Sequence, residues 1–67
     1  MNSDQILALY LDGAYLVDSR LYHPSFTKGS RKVSEPSAWS AKTKLAKLGK
    51  LSEGEVNGKW VIKAINI

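Results

Sequence analysis

A chain of 67 residues makes one small domain, and a chain of that length buries only about 60% of the surface it exposes when unfolded. It has no cysteine, which excludes disulfides and thiolate zinc sites, and its single histidine, His23, excludes a multi-histidine metal centre. Ten Lys and Arg against six Asp and Glu give a formal net charge of +4 and a pI near 9.6, the charge balance of many nucleic-acid binders and also of many small soluble proteins without such a partner.

The N-terminal MNSDQ has no basic n-region, so no signal peptide is expected. The longest apolar stretch, ILALYLDGAYLV, is interrupted by Asp12 and Gly13. It falls short of the ~20 apolar residues that a membrane span needs, so no membrane association is expected. With the absence of cysteine, a cytoplasmic location fits.

Residues 3–13, SDQILALYLDG, favour a first helix. Asn2 or Ser3 supplies a capping oxygen, Asp4 complements the positive helix end, and Gly13 provides a left-handed stop. The rival is a hairpin turned on Asp12-Gly13, with Tyr10 and Tyr15 facing each other across the strands. Continuous apolar residues do not separate the two by periodicity, but the caps and the Ala/Leu content favour the helix.

AYLV, residues 14–17, is then a short strand. Residues 18–37 are the least patterned part, a loop or a short helix capped by Asp18 and limited by Pro24 and Gly29. Rich in Ser, Thr and cations and poor in apolar residues, 24–34 reads as a mobile loop.

A second helix is expected over residues 37–48, capped by Ser34 or Ser37, with Pro36 tolerable only in its first turn and Gly49 as its stop. At ~100° per residue, Ala38, Ala41, Leu45 and Leu48 share a buried stripe, and Trp39, Ser40, Thr43, Lys47 and Lys50 lie opposite with Lys44 at the border. In the last segment, GEVNGKWVIKAINI, Asn57-Gly58 signals a tight hairpin. Trp60, Ile62 and Ala64 fall on one strand face, with Trp60 expected in the core; Val61, Ile65 and Ile67 fall on the other with Lys63 between them.

This order of elements, carried by DQILALYLDG, AYLV, SAWSAKTKLAKLGKL and SEGEVNGKWVIKA, resembles the winged helix-turn-helix. The resemblance implies a small α+β domain with a recognition helix at SAWSAKTKLAKLGKL and a wing whose tip is Asn57-Gly58. It also puts the family's second helix at 18–30, where Pro24 and Gly29 stand. Duplex DNA is the implied partner.

On that reading Ser40 and Thr43 approach base edges, Lys44, Lys47 and Lys50 reach phosphates, Lys59 contacts the backbone from the wing, and Arg31 and Lys32 add charge from the preceding loop. A solvated lysine face is the plain alternative for the helix, and packing under the 18–36 loop is the plain alternative for Trp39. A different class of function is a protein-interaction module, of the kind a phage or plasmid uses on a host protein. Trp39, Tyr22 and Phe26 would be its anchors. No Gly-rich phosphate loop, metal set or catalytic triad is legible around His23 or the carboxylates, so neither an enzyme nor a cofactor is expected. The residues do not separate DNA from RNA.

Overall fold

The computed structural model describes residues 1–65. In chain order the elements are α1 (Ser3–Leu11), β1 (Tyr15–Val17), β2 (Arg20–Tyr22), β3 (Ser30–Lys32), α2 (Glu35–Lys47), β4 (Leu51–Val56) and β5 (Lys59–Ala64). The strands form one antiparallel sheet in the order β3-β2-β1-β5-β4. The α+β class expected from the sequence is what forms.

Local chemistry explains both helices. Asn2 and Gln5 build a reciprocal capping box at the start of α1: the Asn2 side chain accepts from the Gln5 amide at 2.9 Å, and the Gln5 side chain accepts from the Asn2 amide at 2.9 Å. Ser34 is the N-cap of α2, and Pro36 sits within its first turn, where a missing N–H removes no helical bond.

Both helices end in the same way. Gly13 and Gly49 adopt φ values of +96° and +70°. Gly13 and Ala14 donate back to Tyr10 and Leu9, and Gly49 and Lys50 donate back to Ala46 and Leu45, so each pair satisfies two orphan carbonyls.

The core is one cluster between the helices and one sheet face. Ile6 and Tyr10 from α1 and Ala38, Ala41 and Leu45 from α2 meet Leu16, Leu21, Ile62 and Ala64 from the sheet. Tyr10, Ile6, Leu21 and Leu45 are fully buried, each aliphatic one contributing ~2 kcal/mol of transfer free energy. The buried sheet residues all stand on one side, since Leu16 pairs with both Leu21 and Ile62.

Several details differ from expectation. The stretch 18–37, expected as a loop or short helix, holds β2, β3 and the start of α2, and no helix stands at 18–30, where the winged-helix resemblance implies its second helix. β3 also occupies part of the stretch read as a mobile loop; the turn before it is closed by bonds from Phe26 to His23 and from Gly29 to Phe26. Leu48 is 54% exposed, because the chain turns into the Gly49 stop before that residue reaches the core. Trp60 shares the face of Ile62 but is 52% exposed, since the hairpin tip extends past the helices. Trp39 is 63% exposed and does not pack under the 18–36 loop. Ile67 lies outside the described residues.

Two tight turns shape the sheet. Asn57 and Gly58 take φ values of 52° and 79° between Val56 and Lys59, the paired left-handed geometry of a two-residue hairpin. Asp18 and Ser19 do the same between Val17 and Arg20, at 48° and 67°. Asp tolerates this region, but Ser is held there at a cost. Ser19→Gly is therefore expected to stabilise the fold by about 1 kcal/mol, read as a raised urea midpoint with an unchanged slope.

The Tyr10 hydroxyl is buried without a hydrogen-bond partner. Burial pushes its phenol up to about 12. An unfolded phenol ionises near pH ~10, so between that pH and about 12 the unfolded state has lost a proton that the folded state keeps, and stability falls as pH rises. Tyr10→Phe is expected to gain roughly 1 kcal/mol at neutral pH by removing the orphan hydroxyl, and to lose this alkaline component of unfolding. Urea titrations at neutral pH and above pH 10 check both.

Candidate nucleic-acid interface

The basic helix face is partly neutralised from within the chain. Lys44 Nζ donates to Ser3 Oγ at 3.0 Å and pairs with Asp4 Oδ1 at 2.6 Å, tying α2 to the start of α1. Thr43 Oγ1 donates back to the Trp39 carbonyl at 3.1 Å, so its hydroxyl is engaged with the helix backbone. Lys42 pairs with Glu53 at 2.8 Å and stands 4.4 Å from the centroid of the Trp39 ring. Ser40, Thr43, Lys44 and Lys47 do converge, together with Trp39, on one shallow furrow, but its lining comes from α2 alone.

The other expected cations lie elsewhere. Lys59 and Lys32 stand on the sheet face turned away from the helices, because Lys59 alternates with the inward Trp60 and Ile62, and Lys32 pairs with Arg20 beside the inward Leu21. Arg31 pairs with Leu21 and belongs to the opposite face from Lys32. The lysines of α2 and the hairpin lysine therefore do not form one surface. Nor do the three aromatic anchors converge: Trp39 is in the helix layer, Tyr22 is on the open sheet face, and Phe26 is partly buried against the core.

The open sheet face has its own organisation. Its residues align in rows across the strands. One row runs Ser52, Lys63, Tyr15, Tyr22, Ser30, and the next runs Gly54, Val61, Val17, Arg20, Lys32. Lys59 extends the pattern toward the hairpin tip, opposite Val56. The Tyr15 and Tyr22 rings stack, with centroids 5.1 Å apart and planes within 6° of parallel. Arg20 Nε donates to Ser30 Oγ at 3.2 Å, linking the two rows at the β2–β3 edge.

Charge is segregated between the two faces. Arg20, Lys32, Lys59 and Lys63 occupy the open face, and none of its strand positions holds a carboxylate. Of the six cations elsewhere, Lys42 and Lys44 pair with carboxylates, and Lys28, Arg31, Lys47 and Lys50 form no ion pair among the described residues. Arg20 and Lys32 are direct cross-strand partners, a like-charge juxtaposition that disfavours the pairing by a few tenths of a kcal/mol or more. Among the described residues neither forms an ion pair.

His23, which has no partner legible in the sequence, has two in the structure. Asp12 Oδ2 lies 2.9 Å from Nε2, and Ser25 Oγ lies 2.7 Å from Nδ1. The Ser25 backbone N–H also donates to Nδ1 at 3.0 Å, which makes Nδ1 the acceptor and Nε2–H the donor to Asp12. Since the lone pair of Nδ1 already accepts that amide, the arrangement is a clamp between the end of α1 and the turn after β2, with Phe26 edge-on to the imidazole at 6.2 Å. The bond to the Ser25 amide is local, but a histidine is not among the residue types whose side chains commonly close such turns, so the sequence carried no cue to it. Nor could Asp12 be found, because only folding brings it to His23.

Among the described residues no group of three His, Asp or Glu side chains is positioned to hold a metal ion, and no helix is long and apolar enough to cross a membrane. Comparison with known proteins finds no matching family model, no similar curated protein and no similar solved structure.

Proposed function

We propose that this chain is a small nucleic-acid-binding protein, and that its contact surface is the open face of the sheet. The observation that carries the reading is the charge segregation: four cations and no carboxylate occupy the strand positions of one uncovered face bearing two stacked tyrosines. A polyanion would relieve the Arg20–Lys32 juxtaposition, which the fold otherwise retains at a cost. Phosphate contacts of this kind position a nucleic acid without reading its sequence. A regulatory role in transcription, or an accessory role in a phage or plasmid, is compatible with such a surface.

The winged-helix form of the reading, with α2 in the major groove of duplex DNA, has less support. α2 has no helical partner between it and β1. Lys44 is committed to Asp4, Thr43 to its own backbone, and Glu35 stands in the first turn of the helix, where a recognition helix meets the DNA.

Four phosphate contacts imply a salt slope of about 3 to 4, a loss of roughly 50- to 150-fold in affinity between ~50 and ~200 mM salt. Replacing Lys32, Lys59 or Lys63 with Gln is expected to lower both affinity and slope, the slope by ~1 per residue. Lys47→Gln and Lys50→Gln are expected to change neither. Fluorescence anisotropy with a labelled random-sequence oligonucleotide, in single- and double-stranded form, measures this. Absence of binding at low salt to either form refutes the reading, and loss of binding only in the Lys47 and Lys50 variants returns the contact to the helix and the turn after it.

A further inference from the structure

Resting on that reading, we infer that the open face takes single-stranded nucleic acid in preference to a duplex, with bases stacking against the Tyr15–Tyr22 pair. Three features of the face lead there: its width, its aromatic row, and the position of its cations.

Width argues against insertion into a duplex groove. The five strands span about 19 Å, four spacings of ~4.8 Å. The major groove of B-DNA is about 12 Å wide and admits a helix or a two-stranded ribbon. A face this broad does not enter it. The tyrosines stand on β1 and β2, both interior strands, so neither offers an edge that could be inserted alone.

The aromatic row suits unpaired bases. The two rings face each other across the strand pair, so each has one further face turned outward along the row. The position beyond Tyr22 is Ser30, a short side chain held by Arg20, and the position beyond Tyr15 is Lys63. Tyr15 is 43% exposed. A base splayed from a single strand can lie over Ser30 against the Tyr22 ring. A paired base in a duplex presents only its edges and has no free π-face for such a contact.

The cations flank this row at backbone distance. Arg20 and Lys32 stand in the adjacent row, two residues or ~6.8 Å along their strands from Tyr22 and Ser30. Lys63 is within the aromatic row, and Lys59 lies further along the same strand. Stacking positions beside a line of cations are the combination by which proteins hold single strands with little regard to sequence. Stacking requires only a π-face, so DNA and RNA single strands are expected to bind alike.

The test uses the full chain and three labelled probes at one low salt concentration: a 12-nucleotide mixed-sequence DNA strand, its RNA counterpart, and the DNA duplex. Both single strands are expected to bind at least tenfold more tightly than the duplex. Tyr22→Leu, which keeps apolar bulk and removes the ring, is expected to weaken single-strand binding by about tenfold and to leave duplex binding unchanged. Tyr22→Phe keeps the ring and is expected to bind as the parent does, and far-ultraviolet circular dichroism checks that both variants are folded. Duplex binding equal to or tighter than single-strand binding overturns the inference while leaving nucleic-acid binding standing. Single-strand preference that survives Tyr22→Leu and the matching Tyr15→Leu also overturns it. Binding of no probe removes the functional reading itself.

Discussion

The burial of Leu16 is the constraint on which the rest depends. β1 is the central strand of the sheet and has three residues, and Leu16 is its one side chain facing the helices. Its register partners are Leu21 on one side and Ile62 on the other, and all three are buried. Because side chains alternate, an inward Leu16 forces Tyr15 and Val17 outward, and the pairing extends that choice to every other strand. A slip of one residue would bring Tyr15 or Val17 into the core and expose the leucine. The cross-sheet rows on the open face are thus a consequence of apolar packing on the hidden one.

The same alternation sorts the charges. On the helix side, two cations find carboxylates: Lys42 reaches Glu53 and Lys44 reaches Asp4. These pairs are partly or largely solvated, so each contributes at most ~1 kcal/mol, but they neutralise two lysines of the helix layer. On the open face no strand position supplies an acid, and the positive charge remains. The protein has therefore separated a partly neutralised packing layer from a cationic surface with a stacked aromatic pair at its centre.

The sequence made the helices and the C-terminal hairpin legible because their signals are local. Asn2, Gly13, Pro36, Gly49 and Asn57-Gly58 act within a few residues of where they stand, and each acts in the structure as its chemistry predicts. The β1–β2 hairpin was also written locally, in the near-mirror order Tyr-Leu-Val-Asp-Ser-Arg-Leu-Tyr around a two-residue turn, but three-residue strands give too short an alternation to stand out. Trp60 and Leu48 show the limit of pattern: both keep the periodicity of core positions, yet they lie where an element runs past the layer that would cover them. The open face was not legible at all as a unit. Arg20, Lys32, Lys59 and Lys63 come from three strands, and only the pairing order brings them together.

On the reading proposed above, nucleic acid meets the sheet and not the basic helix. Backbone amide chemical-shift mapping during titration with a short single-stranded oligonucleotide tests it residue by residue. Saturable, salt-sensitive shifts concentrated in residues 15–22, 30–32 and 59–63 are expected, with the exposed side of α2 from Trp39 to Lys47 little changed. Shifts concentrated in α2 and around Lys50, with the strands unperturbed, would contradict it.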